Sequence, residues 1–283
     1  MIHYFVPSSL KEALKILNEN DCYIFAGGTD LMVQKHLSSG LLPNFDKDVL
    51  FIMKINELNY IEKDNEGNIH IGATTRYNEI EASSLIPEIY KTVIKEIASP
   101  NIRNMATLAG NIGNASPAGD SLLPLILNDA EVVLSSISGE RIIKVQDFIL
   151  GVKKLDRKQN EIIKEIVIKP QELSYFYRKV GSRKAESITK VSFLGGYTIE
   201  KNRLIDFRVA FGSVATKVVR NQEVENKYIN KELKDIDIDS VVNDYTNLIT
   251  PITDQRSSKE YRHKVAMNLL KKFLKEIKGG RDE

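Results

Sequence analysis

Two runs of small residues are the positions best suited to chemistry in this 283-residue chain. The first, Ile24-Phe25-Ala26-Gly27-Gly28-Thr29-Asp30-Leu31, reads as a strand, a tight glycine turn and a helix start. Adjacent glycines at the mouth of a helix leave backbone N–H groups open to an anion, so a phosphate is one reading and a plain turn the other. The spacing matches neither a Walker loop nor a Rossmann fingerprint. The second run is Ala106-Thr107-Leu108-Ala109-Gly110-Asn111-Ile112-Gly113-Asn114-Ala115-Ser116-Pro117-Ala118-Gly119-Asp120. A run so poor in bulk packs no core of its own but can lie flat against a large ligand. Its Thr, Asn and Ser side chains and main-chain N–H groups suit phosphate oxygens and the polar atoms of a sugar or ring. Asp120 precedes Ser121-Leu122-Leu123-Pro124, so a helix N-cap is an equal reading for it. Two such runs about 80 positions apart point jointly to a dinucleotide held between two subdomains.

Other chemistries are poorly served. His3, His36, His70 and His263 are scattered without ligand spacing, although His36 follows the first loop closely enough to face a bound group. Cys22 is the only cysteine, which excludes an internal disulfide and a cysteine-ligated iron–sulfur cluster or zinc site. No catalytic residue and no metal ligand is assigned. With 40 basic and 38 acidic side chains, net charge is +2 and dispersed, which argues against a nucleic-acid partner. No apolar run approaches the ~18 residues of a membrane span. Met1-Ile2-His3-Tyr4 lacks the basic start and apolar core of a secretory leader, and the expected compartment is the cytoplasm.

The elements that must position the two runs follow from pattern. Ser9 and Glu12 have capping-box spacing ahead of a helix with Ala13, Leu14 and Leu17 on its apolar face. Strands are expected at Tyr23–Ala26 and Val49–Met53 with a helix at Leu31–Leu37, making the first ~55 residues a small βα layer. A hairpin turns at Asp64-Asn65-Glu66-Gly67. Helices follow at Tyr77–Ala82 and Pro87–Ala98, the second stopped by Pro100, and the stretch from Asn101 to Leu123 is irregular. A hairpin is expected around Gly139, a loop at Asp156–Glu161 and a strand at Ile162–Ile168. Beyond Pro170, strands are expected at Tyr175–Val180, Val191–Glu200 and Leu204–Phe211, and helices at Ile238–Ile249 and Ser257–Ile277. The last helix carries Tyr261, Val265, Leu269, Leu270, Phe273 and Ile277 on one face and a solvated basic face opposite.

The two runs, as "IFAGGTDL" and "IRNMATLAGNIGNASPAGDSLLPL", resemble the FAD-binding medium subunits of the molybdenum hydroxylases, which include the flavoprotein chains of xanthine, carbon monoxide and nicotinate dehydrogenases. "FYRKVGSRKAESITKVSF", Phe176 to Phe193, resembles the start of their C-terminal domain, so the resemblance covers the full length. It departs at Ala109, where the family usually has a glycine. The resemblance implies an α+β fold: a vanillyl-alcohol-oxidase or PCMH-type FAD-binding domain of two α/β subdomains at residues 1–170, divided near residue 55, and a C-terminal α+β domain at 171–283. It implies noncovalent FAD rather than FMN. Ala26, Gly27, Gly28, Thr29 and Asp30 would cradle the pyrophosphate with their main chain, with Leu31 beside them. Ala106, Thr107, Gly110, Asn111 and Gly113 would form a second clamp on phosphate and ribitol. Ser116 and Asp120 would reach the adenosine side, Ile163 would lie near the adenine, and Lys179 would sit near the flavin. From the residues alone, Ile163 reads as core, Lys179 as a solvated strand lysine, and Arg183 and Lys190 as members of structural pairs. Gly28→Val is expected to block the phosphate while leaving the fold intact.

The implied role is electron transfer. Molybdopterin and [2Fe-2S] centres would lie on separate large and small partner subunits, and NAD is a candidate acceptor. A free-standing FAD-dependent reductase of the same fold and a nucleotide-binding scaffold without redox function are the alternatives. A cysteine-rich cluster insertion, as in 4-hydroxybenzoyl-CoA reductase, is absent from the sequence.

Overall fold

The structure is a computed structural model that describes residues 1–36 and 42–279. Its contacts fall into two compact units, Met1–Ala115 with Asp129–Pro170, and Ser116–Asn128 with the chain from Gln171 onward.

The first unit begins with β1 (Tyr4–Phe5), α1 (Leu10–Glu19), β2 (Cys22–Phe25), α2 (Leu31–Gln34) and β3 (Asp48–Phe51). These strands form a parallel sheet in the order β1-β3-β2. Helix α1 starts as its cap predicts, with Ser9 accepting from the Glu12 N–H, but the Glu12 carboxylate reaches back to the Ser8 N–H rather than closing the box on Ser9. Helix α2 is a single turn, and Leu37, the expected end of that helix, lies outside the described residues.

The chain continues through β4 (Ile61–Lys63), β5 (Ile69–Gly72), α3 (Tyr77–Ala82), α4 (Glu88–Lys95), α5 (Pro100–Arg103) and α6 (Leu108–Asn114). Pro100 does not stop a helix. It occupies the first turn of α5, where its missing N–H costs nothing, and Ser99 caps that turn. The small-residue run is likewise not irregular: Thr107 accepts from the Gly110 N–H at 2.9 Å and starts α6. After α7 (Leu122–Leu127), which belongs to the second unit, come β6 (Glu131–Ser136), β7 (Gly139–Lys144), α8 (Val145–Phe148), the hairpin of β8 (Ile149–Gly151) and β9 (Lys154–Leu155), and β10 (Ile162–Ile168). An antiparallel five-stranded sheet results, in the order β4-β5-β10-β6-β7.

One edge of that sheet carries a titrating cluster. The Tyr60 hydroxyl donates to Glu165 at 2.7 Å, and His70 lies between Glu165 (3.1 Å) and Asp64 (3.3 Å). Burial opposes the imidazolium, but hydrogen bonds to the two carboxylates outweigh it and raise His70 above its ordinary 6.5. A raised folded pKa stabilises the fold fully below pH 6.5, and the contribution is lost as pH rises through the folded value. His70→Gln should therefore cost most in mildly acidic buffer and progressively less in alkaline buffer. A melting-temperature difference that stays constant across that range would contradict the assignment.

The second unit is built on β11 (Ser174–Val180), β12 (Val191–Glu200) and β13 (Arg203–Gly212), an antiparallel sheet. Lys201 and Asn202, both at positive φ, make the two-residue turn between β12 and β13. The helices α9 (Gln222–Asn226), α10 (Ile238–Thr246) and α11 (Lys259–Ile277) follow, and α10 and α11 supply much of this unit's core. Gly195 of β12 leaves room for the Phe273 ring, to which an added Cβ would come within 2.4 Å. Leu270, Phe273 and Ile277 of the expected face of α11 are buried and Val265 and Leu269 pack against the same core, but Tyr261 is 45 % exposed and Arg262, Ala266 and Leu274 are inside as well. Arg262 can be buried because it donates to the carbonyls of Lys190 and Ser213 and to Asp254. Among the described residues, no helix is long and apolar enough to cross a membrane.

Candidate functional site

The first unit contains a cavity of about 670 Å³, within the range usual for ligand sites. Both small-residue runs line it. Ala26, Gly27, Gly28, Thr29, Asp30 and Leu31 come from the turn between β2 and α2, Ala106 and Thr107 from the approach to α6, and Gly110, Asn111 and Gly113 from α6 itself. Ile163 of β10 also lines it and is 8 % exposed, so cavity wall and core coincide at that residue.

Gly27 is where the two runs meet. An added Cβ there would sit 1.9 Å from the Met105 carbonyl oxygen and 3.1 Å from Ala106 Cα, so only glycine allows the backbones to approach. Gly28 has φ +68°, and an added Cβ would meet the Phe25 ring at 2.1 Å. Gly28→Val would therefore strain the turn and press on the Phe25 ring in addition to crowding whatever the loop binds. Among the described residues, the backbone N–H groups of Ala26 through Leu31 donate to no protein acceptor. Successive unpaired donors of this kind form a concave site for an anion.

The second run is held by Thr107, 2 % exposed, and by a hydrogen bond from the Tyr77 N–H to the Ala106 carbonyl at 2.9 Å. Spacing of three and four residues puts Ala109, Gly110, Gly113 and Asn114 on one nearly side-chain-free face of α6. Ala109 fits this helix, since alanine favours helix over glycine by roughly 1 kcal/mol.

Residues without a sequence signal complete the lining. Gln34 of α2 donates to Asn114 of α6 at 2.9 Å and accepts from Lys153 at 3.0 Å, tying three segments together at the cavity. Arg157 comes from the polar stretch that reads only as a loop. Cys22 also lines the cavity. Burial, then Asp48 and Asp21, push its thiol up to about 11, so it is no nucleophile. His36 is exposed and not part of this lining. No cluster of His, Cys, Asp or Glu among the described residues can hold a metal ion.

Ser116, Asp120 and Lys179 belong to the second unit. Asp120 is not the N-cap of α7, whose cap position is Ser121. Its carboxylate is 4 % exposed, pairs with Lys179 at 3.0 Å and accepts from the Thr189 hydroxyl at 2.8 and 2.7 Å. Lys179, 8 % exposed, is not a solvated strand lysine. The Ser116 hydroxyl accepts from the Ala118 N–H at 3.3 Å. Arg183 donates to the carbonyls of Ala185 and Glu186, while Lys190 lies over the Tyr261 ring.

Residues 1–171 match the family described as FAD binding domain in molybdopterin dehydrogenase, and residues 176–277 match the CO dehydrogenase flavoprotein C-terminal domain. This chain belongs to the FAD-binding medium subunits of the molybdenum hydroxylases. It is an oxidoreductase subunit whose cofactor is FAD. It is 33 % identical over 279 residues to the glyceraldehyde dehydrogenase medium chain of Sulfolobus acidocaldarius, covering 97 % of each chain. It is 26 % identical to the xanthine dehydrogenase FAD-binding subunit of Escherichia coli O157:H7, over 96 % of this chain and 94 % of that one. A chain of reconstituted CO dehydrogenase from Oligotropha carboxidovorans has the same fold, with a TM-score of 0.88 at 22 % identity over 99 % of both chains. The cavity fits the family's cofactor on its own terms, through unpaired main-chain donors at one loop and a side-chain-free helix face beside it.

Proposed function

We propose that this chain takes electrons from an iron–sulfur subunit and passes them to NAD or another acceptor, within a complex whose large subunit carries molybdopterin, in the cytoplasm. The observation that carries the reading is the cavity where six N–H groups, unpaired among the described residues, line the wall together with the nearly side-chain-free face of α6. In this reading the domain at residues 1–170 holds the FAD. Ala26 to Leu31 bind the pyrophosphate through their main chain, and Ala106, Thr107, Gly110, Asn111 and Gly113 form the second clamp. Ile163 supplies an apolar wall. Ser116, Asp120 and Lys179 keep the cofactor roles that the family resemblance implies for them as a proposal of their own. When bound, the flavin supplies the redox chemistry, and the protein supplies position and electrostatics. Relatives named for glyceraldehyde and for xanthine dehydrogenation share this chain's length. That spread supports a chain that carries electrons without selecting the substrate, and a xanthine dehydrogenase-like complex is the assignment we favour.

The test is kinetic. The isolated, FAD-loaded chain should reduce an artificial dye with NADH slowly and should hydroxylate no purine or other heterocycle. It should co-purify with a molybdopterin-binding chain and a [2Fe-2S] chain when these are co-expressed. Rapid NADH turnover without partners would favour a free-standing reductase. Hydroxylation by the isolated chain, without molybdenum, would overturn the proposal.

A further inference from the structure

Arg157 is the one guanidinium lining the cavity, and its usual partners are taken. Glu161 is held by Arg141 at 2.7 Å and Asp21 by Lys47 at 2.5 Å. Among the described residues Arg157 has no ion-pair partner. Its Nη1 donates to the carbonyls of Lys158, Gln159 and Glu161 at 3.2, 3.3 and 2.7 Å, which fixes the plane of the group. Its Nε and Nη2 donate to no protein acceptor, yet neither is a sealed, unsatisfied atom. Half of a rigid donor fork is therefore left open, and burial works against its charge. A cation in that state gains from any ligand that brings acceptors or a π-face.

Its place in the cavity says which part of a ligand it meets. Asn160, in the turn whose carbonyls Arg157 holds, donates to Asn18 near the end of α1 at 3.3 Å, four residues before β2, whereas the unpaired N–H groups follow the other end of β2. The two ends of a strand of that length lie roughly 13 Å apart, so the turn that holds Arg157 and the loop with the unpaired N–H groups stand at opposite ends of β2. Cys22, at that same end of β2, and Ile162, next to the Glu161 carbonyl that Arg157 holds, line the cavity at 6 and 0 % exposure. A closed, apolar end suits the half of a dinucleotide that does no electron transfer, because the redox half needs an open edge toward its partners.

We propose that Arg157 anchors the purine nucleoside of the dinucleotide, offering its guanidinium plane to the face of the purine and its free Nε and Nη2 to the hydroxyl oxygens of the attached ribose. The inference rests on the FAD reading above. Arginine serves this purpose better than lysine, since its planar fork both stacks and donates in pairs. Arg157 would then be a positioning and selectivity residue that favours FAD over FMN.

Flavin-free full-length chain is titrated with FAD, then with ADP and FMN as competitors, in the wild type and in Arg157→Lys. Lysine can still donate to the turn carbonyls, and native circular dichroism checks that turn. ADP competition is expected to weaken by roughly 10- to 100-fold in the variant, with FMN competition unchanged. Unchanged ADP competition overturns the proposal. So does a loss confined to FMN, which would put the flavin at this end, or an equal loss of both. A second measurement uses only the wild type: ADP, and not FMN, should protect Arg157 from phenylglyoxal, and absence of protection by ADP also overturns the proposal. Failure of the wild type to bind FAD would instead defeat the cofactor reading itself.

Discussion

Gly27→Ala is expected to lower FAD affinity by roughly 10- to 100-fold and stability by about 1–3 kcal/mol. The reason is a backbone contact rather than a lost ligand contact. The added Cβ would sit 1.9 Å from the Met105 carbonyl oxygen, and neither backbone can yield without separating the two loops. Separation would move the unpaired N–H groups of Ala26–Leu31 away from the face of α6. Flavin absorbance of the purified protein and a thermal melt read the two effects independently. Gly113→Ala, at another glycine that faces the cavity, is the matched control for the thermal melt only, because its Cβ would meet only Ile163 Cδ1 at 4.0 Å. That variant should keep or gain stability, since alanine favours the helix. Parent-like FAD affinity in Gly27→Ala would show that the loop contact is dispensable for the cofactor.

Asp120→Ala should destabilise the second unit by about 3–5 kcal/mol, the usual cost of leaving a buried charge without its partner. Asp120 and Lys179 are both nearly inaccessible, and Thr189 adds a hydroxyl to the same carboxylate. Double replacement of Asp120 and Lys179 by apolar residues of similar volume should recover much of the loss, because it removes both charges. Denaturant titration measures this. If the single variant melts with the parent, the pair is not structural. If the double variant is stable yet binds FAD poorly, the pair acts on the cofactor.

Much of the frame was legible in the residues. Ser9 caps its helix as local chemistry dictates, since a cap needs only a hydroxyl and a neighbouring N–H. The strands Ile162–Ile168 and Val191–Glu200 were readable from runs of β-branched and aromatic residues. Both loops of the candidate site were visible because a backbone that must be approached closely shows itself as missing side chains. Local pattern failed where partners are distant in sequence. Pro100 reads as a stop, yet Ser99 makes it a helix start. Tyr261 and Arg262 differ by one position on α11, and only the carbonyls of Lys190 and Ser213 with Asp254 bring the arginine inside.

The sequence by itself determined the two runs of small residues, the lack of cysteine ligands and the family. Only the tertiary structure decided that Gly27 faces Met105, that Asp120 meets Lys179, and that Arg157 lines the cavity with half its donors open. Each of those is a contact between residues tens of positions apart, or a charge left over after nearer carboxylates have paired elsewhere. Such facts are set by chain topology, and residue type and spacing carry no trace of them.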